Sequence, residues 1–277
     1  MPQPSNILFL KKIKIKSMNL QFEGSLFIVG GAGAGFGRAI AAALANEGAN
    51  VIAVSRTEEK LLDLKSENQA SGNIEIVTGD ITTDEVQLMI IQKIGDRKLS
   101  GILVNAGGPP AGGFFDVDMD QWETAWNNVV KWKISFIKKL IPLFLNQEYG
   151  RIVFIESVSV KQQVPNLILS NALRPAIVGM AKTLSREVAD KGITVNVLAP
   201  GYHETAAMKR LYTNTSKNLN ISEDEAKLIF EKNLPIKPMG QPEEMASLAL
   251  WLLSPLSRYV TGQTISHDGG LVEGLFG

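Results

Sequence analysis

Short apolar runs alternate with longer amphipathic stretches along most of this chain. Leu26 to Val29, Val51 to Ser55, Ile74 to Thr78, Ile102 to Asn105, Ile152 to Ile155, Thr194 to Leu198 and Gln263 to Ser266 are rich in Val, Ile and Leu. Runs of that length, apolar with little alternation, predict parallel strands buried on both faces. The stretches between them predict helices at about Arg38 to Glu47, Glu58 to Gln69, Asp84 to Ile94, Gln121 to Gln147, Leu169 to Lys191 and Glu243 to Leu253. Strand and helix in regular alternation imply one doubly wound α/β domain, with a seven-stranded parallel sheet flanked by helices. Asp118 with Gln121 forms a capping box for the long fourth helix, and Pro142 is expected to kink it or end it early.

Two regions break the rhythm. Residues 202–238 insert two polar helical pieces, Ala206 to Leu211 and Glu223 to Asn233, before the last helix. At the carboxyl edge of such a sheet an insert of this kind covers a ligand, a decorative excursion being the alternative. In residues 1–17, Lys11, Lys12, Lys14 and Lys16 alternate with isoleucines after the apolar patch Ile7 to Leu10. The charges follow the apolar patch, the reverse of a secretory signal. A flexible extension to a domain of residues 18–277 is expected, with a basic strand or a membrane-touching arm as the other reading.

The first strand runs into Gly30-Gly31-Ala32-Gly33-Ala34-Gly35-Phe36-Gly37 and then into an Ala- and Leu-rich helix. Gly31 and Gly33 suit a tight turn, Gly35 a close approach to pyrophosphate, and Gly37 close packing of helix on strand. The first N–H groups of that helix lack internal partners and sit at its positive end, which suits an anion. Glycines in a turn are often plain turn chemistry, but a strand before, a helix after and a second strand beyond make this a Rossmann-type βαβ unit that binds a dinucleotide. At the end of the second strand, Ser55-Arg56 stands where a carboxylate would hold the adenosine ribose of NAD. Arg56 can pair with a 2′-phosphate, favouring NADP(H) over NAD(H), against the alternative of a solvated surface arginine.

The bulk numbers narrow the rest. The 277 residues are 45% hydrophobic, enough for one large core, and 28 Lys plus Arg balance 28 Asp plus Glu, so no net field steers the protein to nucleic acid or an anionic membrane. Without cysteines, thiol chemistry and disulfides are excluded, and two distant histidines argue against a metal site. No apolar run is long enough to span a bilayer, and a cytoplasmic protein is expected.

The spacing Gly31-x-x-x-Gly35-x-Gly37 resembles the T-G-x-x-x-G-x-G turn of the short-chain dehydrogenase/reductase family, with Gly30 for its Thr. Other marks follow in the family's order between about residues 20 and 272. Gly79-Asp80-Ile81 resembles the pair that contacts adenine, and Val104-Asn105-Ala106-Gly107 the N-N-A-G turn beside the adenosine ribose. Pro200-Gly201 followed by Thr205 resembles the loop that holds the nicotinamide carboxamide, and Asp268-Gly269-Gly270 the C-terminal mark. Phe36, His203 in the Pro-Gly loop, and Arg174 complete the cofactor-binding set that the resemblance implies.

The catalytic positions depart from the family, which uses an Asn, a Ser, and a Tyr and a Lys four residues apart on one helix face. Here the Asn position is Val129, Ser157 keeps its place, the Tyr position is Ser170 and the Lys position is Arg174. This resembles a subgroup similar to 3-oxoacyl-[acyl-carrier-protein] reductases whose tetrad is imperfect. Arg174 keeps the charge but cannot store a proton, and Ser170 is a far weaker acid than a phenol. His203 is a substitute acid or a packing residue; Lys161 and Tyr202 are weaker candidates, and His267 is expected to be structural.

The expectation is therefore an NADP(H)-dependent oxidoreductase acting on a carbonyl or alcohol, in the manner of a 3-oxoacyl thioester. The rival is a catalytically silent NADPH-binding sensor or partner subunit. The fourth helix carries apolar residues on more than one face (Trp126, Val130, Ile134, Ile137, Ile141), and the resemblance implies that this helix pairs between subunits, so a homo-oligomer, a tetramer or dimer, is expected.

Overall fold

The computed structural model describes residues 19–68 and 71–275; the expected N-terminal extension lies outside the described residues. Seven strands, β1 (Leu26–Gly30), β2 (Asn50–Ser55), β3 (Ile74–Thr78), β4 (Leu99–Val104), β5 (Gly150–Ile155), β6 (Ile193–Pro200) and β7 (Thr264–His267), form one parallel sheet in the order β3-β2-β1-β4-β5-β6-β7. Side chains alternate across it. Ile28 and Ile52 face α3 (Asp84–Ile94), α5 (Trp132–Gln147) and α6 (Ile168–Glu187), while Phe27, Val29 and Val51 face α1 (Gly35–Asn46), α2 (Glu58–Glu67) and α9 (Pro242–Leu253). Two buried faces explain why these strands read as unbroken apolar runs. From β1 the chain winds out to β2 and β3, then returns to β4 on the other side of β1. The crevice beyond the carboxyl ends of β1 and β4 is thus the switch point where such sheets bind ligands.

The predicted fourth helix is three pieces: α4 (Met119–Trp126), a π-helical turn at Asn127–Lys131, and α5. Asp118 and Gln121 make the capping box, with bonds of 2.8 and 2.9 Å. Pro142 does not end the helix, which continues to Gln147. Phe136, Leu140 and Phe144 are fully buried on both sides of the proline, and that packing outweighs the lost backbone bond. The interruption comes instead at the π-turn, a feature frequent at functional sites. Val130 and Ile137 belong to the core and half-buried Ile134 and Ile141 pack against it, which leaves Trp126 as the exposed member of the five.

The first insert helix, α7, runs Ala206–Leu219, well past the predicted Leu211, and is followed by α8 (Glu223–Glu231). Its second half, Thr213 to Ser216, reads as turn chemistry in sequence. Met208, Leu211 and Tyr212 anchor the first half by packing with Leu234 and Met239; the second half is held by Thr213 Oγ1 donating to Glu223 at 2.7 Å and Ser216 Oγ to the Ile221 carbonyl at 2.6 Å, and left-handed Asn220 then caps it. No helix among the described residues is long and apolar enough to cross a membrane.

Candidate cofactor and active site

β1 ends at Gly30 and α1 begins at Gly35, so the glycine-rich turn lies at the switch point. Gly31 has φ +66°, and a Cβ there would come within 2.7 Å of Asn105 Nδ2; one at Gly33 would meet Ser55 Oγ at 2.4 Å. Asn105 Nδ2 donates to the Gly30 carbonyl at 3.1 Å and braces the turn from β4. A Cβ at Gly37 would run into the backbone carbonyls of Gly31 and Gly30, so only glycine lets α1 pack this close to the end of β1. Ala34 provides no side-chain cap for α1, so the helix's first N–H groups remain open to an anion.

A cleft of about 540 Å³ opens over this turn. It gathers Gly31, Gly33, Gly35 and Phe36 with Ser55 and Arg56, Asp80 and Ile81, Asn105 to Gly107, Arg174 and Thr205. Lys60 and Arg210 of α7 also line it, and neither they nor Arg56 form an ion pair among the described residues. Asp80 and Glu156 are its acidic members, and neither belongs to β2. The donor set therefore fits a phosphorylated dinucleotide: glycines leave room at the turn, and unpaired cations sit at the end of β2.

Pro200 and Gly201 end β6 outside this lining. Gly201 N–H donates to the His267 carbonyl at 3.0 Å. His203, 3% exposed, also lies outside it, its ring edge-on to Phe36 at 5.0 Å. Both ring nitrogens are engaged: Nδ1 with the Gly201 carbonyl at 3.2 Å, Nε2 with His267 Nδ1 at 2.8 Å. A carbonyl only accepts, so His203 carries its proton on Nδ1 and accepts from His267. Burial holds the His203 pKa below the usual histidine value, opposed by the Gly201 bond.

Of the four family catalytic positions only Arg174 lines the cleft; Val129, Ser157 and Ser170 lie outside its lining, and Val129, in the π-turn and 1% exposed, offers no polar side-chain atom. Ser157 accepts from Ser159 N–H at 3.2 Å, and Ser170 is buried on α6 one turn before Arg174. Arg174 Nη1 donates to the Glu156 carbonyl at 3.2 Å and to Glu156 Oε2 at 2.9 Å. The other carboxylate oxygen, Oε1, pairs with Lys133 Nζ. The Lys133 and Glu156 side chains are 4% and 0% exposed. Burial pushes the Lys133 ammonium below the usual lysine value, with the Glu156 charge acting against it. Arg174 Nε is buried without a hydrogen-bond partner among the described residues.

Lys133 and Glu156 were missed by sequence reasoning, which weighed the four family positions and, beyond them, His203, Lys161, Tyr202 and His267. A signal existed: Lys133 falls one turn beyond Val129, on the helix stripe of Val130, Phe136, Ile137 and Leu140. A charge placed there needs a partner.

The family model described as Enoyl-(Acyl carrier protein) reductase matches residues 31–272. The chain is 30% identical to the 3-oxoacyl-[acyl-carrier-protein] reductase FabG of Thermotoga maritima, over 91% of this chain and 100% of that one. It is 28% identical to the NADPH-dependent reductase BacG of Bacillus subtilis, over 88% and 96%. The crystal structure of YwfH, an NADPH-dependent reductase involved in bacilysin biosynthesis, superposes with a TM-score of 0.84 at 27% identity, covering 91% of this chain and 100% of that one. With the family's motifs in order on the family's sheet, the chain belongs to the short-chain dehydrogenase/reductase family of NAD(P)-dependent oxidoreductases, related within it to the 3-oxoacyl-[acyl-carrier-protein] reductases.

Proposed function

We propose that this protein is an NADP(H)-dependent reductase of a ketone, of the 3-oxoacyl-thioester kind or similar, working reversibly on the matching alcohol. The observation that carries the reading is the end of β2, where Ser55, Arg56 and Lys60 face the cleft and no carboxylate does. The open N-terminus of α1 receives the pyrophosphate, Arg56 and Lys60 the 2′-phosphate, and Asp80, Ile81 and Asn105 the adenosine half. Arg174 Nε, buried and unpaired, has a donor left for a ribose hydroxyl or a substrate oxygen. The nicotinamide, when bound, supplies the hydride. Ser157 hydrogen-bonds the substrate oxygen, and the Arg174 guanidinium stabilises the charge that develops on it. Residues 202–238, with α7 and α8 on their own small core, form the lid.

The absence of the family's phenol, with Val129, Ser170 and Arg174 in place of Asn, Tyr and Lys, favours a second reading as a silent NADPH binder. Titration with NADPH and NADH tests the cofactor assignment, and NADPH consumption over a panel of keto esters and ketoacyl thioesters separates the readings. An enzyme turns over at least one of them; a silent binder turns over none.

A further inference from the structure

The lid helix α7 starts beside the glycine-rich turn. Thr205 Oγ1 accepts from Met208 N–H at 3.2 Å and opens α7, and a Cβ at Gly35, where α1 opens, would touch Thr205 Cγ2 at 3.5 Å. The positive ends of two helices therefore border the same stretch of the cleft. Ala206, Ala207 and Arg210, spaced by three and four, form one stripe of α7 that lines it. A pyrophosphate is dianionic, and helix ends supply only partial charges against it. The other cations nearby are placed elsewhere. Arg56 and Lys60 stand with Ser55 at the end of β2, Lys60 Cβ lying 3.6 Å from a Cβ built at Gly33, and Arg174 is held by Glu156. Arg38, although it belongs to α1, is turned to α2, where Nη2 meets Glu67 at 2.6 Å and Nη1 donates to the Lys60 carbonyl at 3.0 Å. Arg210 remains: exposed, lining the cleft, and without an ion pair among the described residues.

We infer that Arg210 is the lid's own contact with the cofactor: it pairs with the pyrophosphate across the cleft from Gly35 and holds α7 down on the bound dinucleotide. The inference rests on the proposed dinucleotide site. Lid closure then answers to the part of the cofactor that NADPH and NADH share, while Arg56 and Lys60 read the 2′-phosphate that distinguishes them. The lid is built to follow such a pull as one piece. Met208 of α7 packs with Leu234 and Met239 in a core separate from the two that flank the sheet, and Lys227 of α8 bridges Glu204 and Glu231. Its two connections to the sheet run side by side, Gly240 N–H donating to the Tyr202 carbonyl at 3.2 Å and Glu204 N–H to the Gly240 carbonyl at 2.8 Å. Paired connections of this kind give the segment one hinge line. A guanidinium on α7 one turn beyond that hinge is well placed to act on it, because its planar fork can hold two phosphate oxygens at once.

The test measures binding and amide hydrogen exchange in α7 on the full chain, with NADPH, NADH and adenosine 2′-monophosphate, which lacks the pyrophosphate. At matched occupancy both dinucleotides should slow exchange over residues 206–219 of the unmodified protein to the same extent, and adenosine 2′-monophosphate should leave it unchanged. Arg210→Met should raise the Kd for NADPH and for NADH by one common factor of about ten, and at matched occupancy should remove most of the slowing. Arg210→Lys, which keeps the charge and loses the fork, should fall between the two. Arg210 is exposed and outside the lid core, so both variants should fold, as thermal unfolding checks. A loss of NADPH affinity alone would move Arg210 to the 2′-phosphate and overturn the inference. Slowing by adenosine 2′-monophosphate, or full slowing by the dinucleotides in Arg210→Met, would overturn it too. If neither dinucleotide binds the unmodified protein, the cofactor reading falls and this inference with it; if both bind while α7 exchanges as before, only the inference falls.

Discussion

Replacing Arg56 with alanine should weaken NADPH and leave NADH almost untouched. Arg56 is exposed, borders the cleft beside Ser55 and forms no ion pair among the described residues, so its guanidinium can take a 2′-phosphate in bidentate fashion. A hydrogen bond to a charged group contributes about 1.5 to 3 kcal/mol, which converts to roughly ten- to a hundredfold in affinity. Two features place the expected loss near the lower end. Solvent screens an exposed pair, and Lys60 and Arg210 line the same cleft and keep part of the field. Arg56→Ala should therefore raise the Kd for NADPH about tenfold and shift that for NADH less than twofold, with Arg56→Ala/Lys60→Ala removing most of the remaining preference. Fluorescence titration of both cofactors at one fixed ionic strength measures this. Equal titration curves for the two cofactors in the unmodified protein, or equal weakening of both by Arg56→Ala, would refute the reasoning.

Gly33→Ala should weaken both cofactors together, because its Cβ would collide with the Ser55 side chain at the end of β2 and either the turn or Ser55 must shift; titration of each cofactor, with circular dichroism to check the fold, tests this. The His203 pKa is held below its ordinary value, so the unfolded chain takes up a proton that the folded chain refuses. Its contribution is complete above the unfolded value near 6.5 and is lost as pH falls below it, so urea unfolding should show stability rising with pH across that range, less steeply in His203→Asn. Light scattering at micromolar concentration should find a homo-oligomer, with and without residues 1–17; a monomer would contradict the oligomer, and loss of assembly on deletion would contradict a dispensable extension.

Much of this was legible because local pattern and tertiary context agree. Val51 to Ser55 and Ile152 to Ile155 are apolar on both faces since helices cover both, and Gly31 and Gly33 stand where a Cβ would collide with Asn105 or Ser55. Where the two conflict, the sequence misled. Pro142, expected to kink the helix or end it early, does not end it: α5 continues to Gln147, held by Phe136, Leu140 and Phe144. Thr213 to Ser216 read as loop yet continue α7, which is anchored by contacts with residues far along the chain. Val130 and Ile137 look like interface residues on a helical wheel but meet the sheet. The glycine-rich turn between β1 and α1 was accessible because glycine spacing is a local signal. The Lys133–Glu156–Arg174 cluster was not, since its members come from α5, β5 and α6 and only the parallel sheet brings them together.

The most direct measurement is NADPH consumption by the unmodified protein and by Ser157→Ala over a panel of keto esters and ketoacyl thioesters. The account predicts turnover of at least one substrate, faster with NADPH than with NADH, and a loss of roughly 10²-fold or more in Ser157→Ala with cofactor affinity unchanged. A protein that binds NADPH tightly yet consumes none of it with any member of the panel would contradict the account.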